Sequence, residues 1–182
     1  MRIVLRAATM ADADALIGFF DIASFGFVEH IFRKLSDPGA DLANVLRARL
    51  ADPASHLHVG KARLAEIDGV VVGLLSGEVI EDPPPPLESD FPAMLRPIME
   101  LEHLAPGTFN IGFLAVLPEA RGQGVADCAP AKGMSLSVHD QNAAARRLYE
   151  GFGFRETARR PIVKEGWDIP ARDWVLMIRP GR

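Results

Sequence analysis

The chain has 182 residues, of which 48% are hydrophobic and 24% charged, and its formal net charge is -4 at pH 7. This length and hydrophobic content predict one domain with a proper core. Proteins that bind nucleic acids usually carry positive charge that neutralises phosphates. The negative net charge of this chain therefore leads us to expect no nucleic-acid partner. One cysteine, no signal-peptide pattern and no apolar run of about 20 residues lead us to expect a cytoplasmic protein without a membrane segment.

Strand and helix patterns alternate along the first half of the chain. A strand over Ile3 to Arg6 is followed by a helix start at Thr9, whose side chain can cap free N–H groups. Two strands, His56 to Glu66 and Val70 to Val79, meet at Asp68-Gly69, a turn typical of hairpins. Between them lie three apolar series at helical spacing: Leu16, Ile17, Phe20 and Ala23; Val28, Ile31, Phe32 and Leu35; and Leu42, Val45, Leu46 and Leu50.

Residues 80 to 106 have the composition of an insertion over the surface. Four consecutive prolines, Pro83 to Pro86, favour an extended polyproline segment. A short helix is expected around Ala93 to Leu104. Acidic residues outnumber the single fixed cation, Arg96, which indicates either a lid that attracts a cationic amine or a loop that its acids keep soluble. Both interpretations stay open.

The second half predicts a strand over Phe109 to Val116, a glycine-bearing turn, a strand over Met134 to Val138 and a helix over Asn142 to Glu150. Two closing strands follow at Phe152 to Glu156 and Trp174 to Ile178. This order of elements indicates a mixed α/β or α+β domain built on one sheet.

The turn after the fourth predicted strand reads Arg121-Gly122-Gln123-Gly124-Val125-Ala126. Its glycines allow positive φ and a close approach of backbone N–H groups to a ligand. A helix starting there would direct its free N–H groups at phosphate. An ordinary tight turn between strand and helix explains the two glycines equally simply. The turn is neither a Walker phosphate loop nor a complete dinucleotide fingerprint.

The second informative segment runs from Val138 to Phe154. Asp140 or Asn142 can cap the helix that starts there. Tyr149, the only tyrosine in the chain, lies near the end of this helix. A phenol with a pKa near 10 suits protonation of a departing thiolate, although a half-buried structural tyrosine would look the same.

Taken together, these two segments resemble the GNAT N-acetyltransferases. Arg121 to Ala126 fits the family's Arg/Gln-x-x-Gly-x-Gly/Ala turn, and Asn142, Tyr149 and Gly153-Phe154 match its next block. Ile111 to Val116 is similar to its Leu-Ala-Val strand. The resemblance implies an acyl-CoA N-acyltransferase fold with a central, mostly antiparallel sheet of about six or seven strands flanked by helices. A single domain would then cover residues 1–182, with the insertion at 80–106.

The resemblance also implies a site and a reaction. Acetyl-CoA would be the acyl donor, and a primary amine of a small molecule or peptide would attack the thioester directly. Tyr149 would protonate the leaving thiolate. Glu100 and Glu102 are the candidates for the base, with His103 and His139 as alternatives. The cofactor-binding positions carried over are Leu114, Ala115, Val116, Arg121, Gly122, Gln123, Gly124, Val125, Ala126, Asn142 and Ala145.

One departure from the family follows the glycine turn. A helix of roughly 10 to 14 residues is expected after Ala126, but Asp127 to Gly133 contains Pro130 and leads straight to the next strand. Our interpretation is that this helix is missing between Ala126 and Asp127, either deleted or absent from this sequence. An intact mass of 19.8 kDa would exclude the second explanation.

Two other functions stay open beside N-acetylation. The chain could be an acyl-CoA-binding or regulatory domain without turnover, which the missing helix favours. It could also be an interaction module that presents its four prolines to an aromatic groove. The histidines and the cysteine lack the spacing of a metal site, and exposed strand edges are compatible with a homodimer.

Overall fold

A computed structural model describes residues 3–117 and 133–181 of the chain. These residues form seven strands: β1 Ile3–Ala7, β2 Ala62–Ile67, β3 Val70–Val79, β4 Phe109–Val116, β5 Gly133–His139, β6 Arg155–Pro161 and β7 Asp173–Pro180. They also form five α-helices: α1 Ala13–Ser24, α2 Phe27–Leu35, α3 Leu42–Ala51, α4 Arg96–Glu102 and α5 Ala143–Gly151. Two short 3-10 turns, Met10–Asp12 and Val59–Lys61, precede α1 and β2.

The seven strands follow the order β1-β2-β3-β4-β5-β7-β6 in one sheet. Strands β1 and β2, β2 and β3, β5 and β7, and β6 and β7 pair in antiparallel fashion, whereas β4 and β5 are parallel. The predicted mixed α/β fold with a mostly antiparallel sheet is therefore confirmed. The chain divides into two compact units, Met1–Gly77 with Gly112–Asp127 and Glu78–Ile111 with Cys128–Arg182, which are described in turn.

The first unit buries hydrocarbon from α1, α3 and the β2–β3 hairpin. Leu16, Leu50, Leu64 and Leu74 are fully buried in one cluster with Phe20. The helical periodicity therefore identified the faces of these helices that pack inward. The hairpin turns at Asp68 and Gly69, both at positive φ, as the Asp-Gly pair predicts.

An ion network ties the start of the first unit together. The Arg6 guanidinium lies 2.7 Å from an Asp12 carboxylate oxygen and 2.6 Å from a Glu66 carboxylate oxygen. Asp12 also accepts a hydrogen bond from the Thr9 N–H at 2.8 Å, completing the helix start expected there. The Arg6 hydrogen bond holds the pKa of Asp12 well below its usual range.

The second unit contains a cluster of three buried polar side chains at the parallel strands β4 and β5. Asn110 lies opposite Ser135 in the β4–β5 register. The hydroxyls of Thr108 and Ser135 are 2.7 Å apart, and the Ser135 hydroxyl donates to the Asn110 side-chain oxygen at 3.3 Å. All three side chains are buried, and the Thr108 hydroxyl can also donate to the Ala105 carbonyl at 2.8 Å, so the hydrogen-bonding needs of these buried groups are met within the protein.

Two strand predictions were wrong at their starts. The strand expected from His56 begins only at Ala62, because Ser55 accepts a hydrogen bond from the Leu57 N–H and the chain turns twice before β2. The strand expected from Phe152 begins at Arg155, since the Phe154 N–H still bonds the Tyr149 carbonyl across Gly153. Strand β6 also lacks the apolar alternation that marks a half-buried strand.

The segment 80–106 is anchored at several points. Met94, Leu101 and Ala105 are buried, and α4 lies inside the range expected for a short helix. Three of the four prolines, Pro83, Pro85 and Pro86, are exposed.

No single helix of residues 3–117 and 133–181 is long and apolar enough to cross a membrane. Met10–Ser24 and Phe27–Leu35 meet that requirement only as a pair, bent by 107° at the break. The same residues contain no group of three His, Cys, Asp or Glu side chains able to hold a metal ion.

Candidate acyl-transfer site

In the first unit, one edge of strand β4 faces strand β3. The Leu117 N–H donates to the Val72 carbonyl at 2.8 Å, and the Ala115 carbonyl lies against Gly73. Backbone groups of alternate residues in a strand point to opposite edges. The N–H and C=O groups of Leu114 and Val116 therefore point to the edge opposite β3. Of the three positions predicted to bind the acyl donor on this strand, Ala115 is the one directed at β3.

In the second unit, Asn142 settles which of the two candidates caps α5. Its side-chain oxygen accepts a hydrogen bond from the Ala145 N–H at 3.1 Å. This bond uses the oxygen, so the amide NH₂ is the part of Asn142 that remains to donate to a ligand. Both Asn142 and Ala145 are half-buried.

Asp140, the other candidate cap, has a different role. Its carboxylate accepts a hydrogen bond from the Arg172 N–H at 3.0 Å. Burial alone would raise its pKa, but this bond and others from the backbone lower it. Asp140 thus links the residue after β5 to the residue before β7, 32 positions apart in the chain, and no local sequence pattern predicts this contact.

Tyr149 lies on α5 against an aromatic neighbour. Its ring meets that of Phe154 edge to face, with centroids 5.6 Å apart. Burial raises the pKa of its phenol to about 12. The hydroxyl is therefore protonated throughout the neutral range and is a proton donor rather than a base.

The two acidic candidates on α4 do not share a face. The sequence allowed Glu100 and Glu102 to act from one side only if the segment were extended, and Arg96–Glu102 is helical. Two residues apart on an α-helix, their side chains are separated by about 200°. Glu100 also accepts a hydrogen bond from Arg160 Nε at 3.2 Å. The structure therefore does not bring the pair together.

The alternative base candidates differ in environment. His103 follows the last turn of α4 and is half-buried. His139 ends β5, is 7% exposed, and lies edge-on to Trp174, which stacks on Trp167. Burial lowers the pKa of His139, partly offset by Asp140. Its imidazole is thus neutral near pH 7 and able to accept a proton.

The predicted pyrophosphate turn, Arg121 to Ala126, lies outside the described residues. So does the point between Ala126 and Asp127 at which a helix is expected. Both remain predictions.

Comparison with known proteins adds a family and a set of similar structures. The profile of the Acetyltransferase (GNAT) family matches residues 16–154, which include β4, the glycine turn and α5. No curated protein matches the chain in sequence.

Three solved structures illustrate the likeness in fold. PH1933 from Pyrococcus horikoshii OT3 superposes with a TM-score of 0.58 at 15% identity, covering 100% of this chain and 99% of its own. The ribosomal-protein-S18-alanine N-acetyltransferase of Escherichia coli gives 0.56 at 15% identity, covering 98% and 94%. YncA, a putative acetyltransferase from Salmonella typhimurium solved with acetyl-CoA, gives 0.52 at 21% identity, covering 99% and 94%.

Proposed function

Because the chain belongs to the GNAT acetyltransferase family, we propose that it moves the acetyl group of acetyl-CoA to a primary amine of a small molecule or peptide. Acetyl-CoA is the donor of this family and supplies an activated thioester. The single observation that carries the proposal is the family match over residues 16–154, which includes Tyr149 on the helix that Asn142 caps.

The described residues fit such a donor at two places. The backbone of Leu114 and Val116 is directed to the edge of β4 away from β3, where N–H and C=O groups suit the amide groups of an extended pantetheine arm. The Asn142 amide keeps two donors after capping α5. We assign the acyl and pantetheine contacts to Leu114, Val116, Asn142 and Ala145, and the pyrophosphate contacts to the turn from Arg121 to Ala126. Ala115 is left out because its backbone groups are directed at β3.

The reaction needs one acid and one base. The amine nitrogen forms a bond to the acyl carbon, the carbon–sulfur bond breaks, and Tyr149 gives its proton to the sulfur as it departs. The amine proton leaves to a base, for which Glu102, Glu100 and His139 are the candidates. The hydrogen bond from Arg160 occupies one of the Glu100 carboxylate oxygens.

Two experiments test this function. The protein is first titrated with acetyl-CoA by calorimetry, and one-site binding is expected. Tyr149→Phe should then lower kcat for amine acetylation by about 10²-fold or more with the acetyl-CoA Kd unchanged. Phe152→Leu, at an exposed position just after α5, is the matched control and should alter neither.

Three other outcomes of these experiments would each change the proposal. Acetyl-CoA binding without acetylation of any amine in a screen would favour the acyl-CoA-binding or regulatory domain. A folded sample that does not bind acetyl-CoA would remove both functions. Normal kcat in Tyr149→Phe would leave the enzyme but remove the proton donor.

A further inference from the structure

The sheet has two edge strands, β1 and β6, that differ in their side chains. Charged side chains and proline on an edge strand hinder its pairing with another chain. Strand β6 contains three arginines, one glutamate and one proline, so it has this protection. Strand β1 contains four apolar residues and one arginine, and its Val4 and Leu5 are 45% and 50% exposed. Nothing in the proposed acyl transfer uses β1.

The one charge of β1, on Arg6, is neutralised within its own unit. The Arg6 guanidinium lies 2.7 Å from an Asp12 carboxylate oxygen and 2.6 Å from a Glu66 carboxylate oxygen. Because two carboxylates compensate this guanidinium, Arg6 does not give β1 the positive charge that keeps other strands away from an edge. The β1 edge is therefore apolar and has no uncompensated positive charge.

The hydrogen bonds to β2 determine which backbone groups of β1 lie at the outer edge. The Ala8 N–H donates to the Ala62 carbonyl at 3.1 Å, so the backbone groups of Ala8 face β2. Backbone groups of alternate residues in a strand point to opposite edges. The N–H and C=O groups of Ile3, Leu5 and Ala7 therefore point away from β2, and no strand of the described residues lies on that side.

We propose that β1 pairs with β1 of a second copy of this chain, antiparallel and across a two-fold axis, with Leu5 opposite Leu5 of the partner subunit. In this register the two Leu5 residues exchange two N–H···O=C bonds, and Ile3 exchanges two with Ala7 of the partner subunit. The Ala7 carbonyl already accepts a hydrogen bond from Arg6 Nη1 at 3.1 Å, but a carbonyl oxygen has two lone pairs and can accept a second. The backbone groups that β1 directs outward are then all bonded.

The side chains of β1 fit the same register. They alternate between the two faces of the sheet, so on one face Leu5 lies against Leu5 of the partner subunit and Ile3 against Ala7 of the partner subunit. On the other face Val4 lies against Arg6 of the partner subunit, and no two like charges are opposite each other. Because one strand supplies both halves of this match, the partner is a second copy. This inference goes beyond the proposed function and does not depend on it.

Sedimentation velocity of the full chain over a series of protein concentrations tests the pairing. The wild type should pass from monomer to dimer as the concentration rises. Leu5→Lys should weaken dimerisation at least about 10-fold, because it places two ammonium groups opposite each other. Since Leu5 is half exposed, this variant should fold, which far-UV circular dichroism checks. Thr157→Lys, at an exposed position of the β6 edge, adds the same charge and should leave dimerisation unchanged.

A mixture of two charge variants tests the register itself. Leu5→Glu should also dimerise weakly when it is alone. Its equimolar mixture with Leu5→Lys should dimerise at least about 10-fold more tightly than either variant by itself, because opposite charges then face each other. Only a register with position 5 opposite itself brings these two charges together, so the mixture separates this pairing from other modes of association.

Amide hydrogen exchange gives a second measurement on the wild type. The Leu5 N–H, directed outward, should become protected as the protein concentration rises, whereas the Val4 N–H, directed at β2, should be protected at every concentration. Three results would overturn the proposal: a wild type that is monomeric at all concentrations, a dimer that Leu5→Lys does not weaken, or a mixture of the two charge variants that stays monomeric.

Discussion

The interiors of the two units differ in how many polar side chains they bury. In the first unit Ser76 is the one buried polar residue among those described, and the core is otherwise hydrocarbon around Phe20 and Leu64. In the second unit Thr108, Asn110, Ser135 and His139 are buried beside the apolar side chains. The first interior is stabilised by close packing and by buried apolar surface. The second is stabilised in addition by hydrogen bonds among its buried polar side chains.

This difference has consequences for substitution. An apolar core loses stability in proportion to the hydrocarbon removed and the cavity left behind. A protein with a cluster of buried polar side chains loses stability when one of them is removed, because the remaining partners stay out of contact with water but lose a hydrogen bond. The two units should therefore respond to different kinds of change.

The largest effect is expected from Phe20→Ala in the first unit. Phe20 is 1% exposed and meets Phe113 edge to face at 4.7 Å, so the change should lower the free energy of unfolding by about 3–5 kcal/mol. Guanidinium denaturation followed by far-UV circular dichroism measures this. Ile22→Ala, at an exposed position of the same helix, should cost about 0.5 kcal/mol or less.

Tryptophan fluorescence adds a probe of the second unit to the same denaturation experiment. Both tryptophans, Trp167 and Trp174, belong to the second unit, so fluorescence follows that unit while circular dichroism follows the whole chain. We expect both signals to move together, since β3 and β4 each contribute residues to both units. Two separate transitions would mean that the units unfold independently.

A smaller effect is expected from Ser135→Ala in the second unit. The change leaves the Thr108 hydroxyl and the Asn110 oxygen without a partner they now have, at a cost of about 1–3 kcal/mol. Adding Thr108→Val should cost less than the two single changes summed, because the hydrogen bond between the two hydroxyls is lost only once. Strict additivity would contradict a coupled network, and Ser89→Ala at an exposed position is the control.

The same contrast explains what could be predicted. Leu16, Phe20 and Leu50 were placed in the core from helical spacing alone, and Asp68-Gly69 identified the hairpin, because apolar periodicity and turn chemistry are local properties. Ser135 and Thr108 were not expected inside, since their types are usually exposed and only tertiary partners make burial tolerable.

The candidate site also has features that local sequence signals predict and contacts that they do not. The strand over Leu114 to Val116 was predicted from local signals, as was a helix cap at Asp140 or Asn142. The structure has the strand, and Asn142 is the residue that caps the helix. The ion pair between Glu100 and Arg160 spans 60 residues. No spacing along the chain encodes this contact.

The smallest effect concerns pH and the ion network of the first unit. Arg6 lowers the pKa of Asp12 in the folded state, so the pair contributes stability above the unfolded pKa of about 4. That contribution is lost as the pH falls from about 4 toward the lower folded pKa. Asp12→Asn should therefore cost about 1 kcal/mol or less at pH 7, because Arg6 is one-third exposed.

The deficit of Asp12→Asn should shrink as the pH is lowered below 4, measured as the difference in unfolding free energy from the wild type in urea. Asp14→Asn, which breaks a far more exposed pair with Arg47, should cost less at every pH. A deficit for Asp12→Asn that stayed constant down to pH 2 would mean that Asp12 acts through its hydrogen bond to the Thr9 N–H, which asparagine weakens without regard to charge, rather than through Arg6.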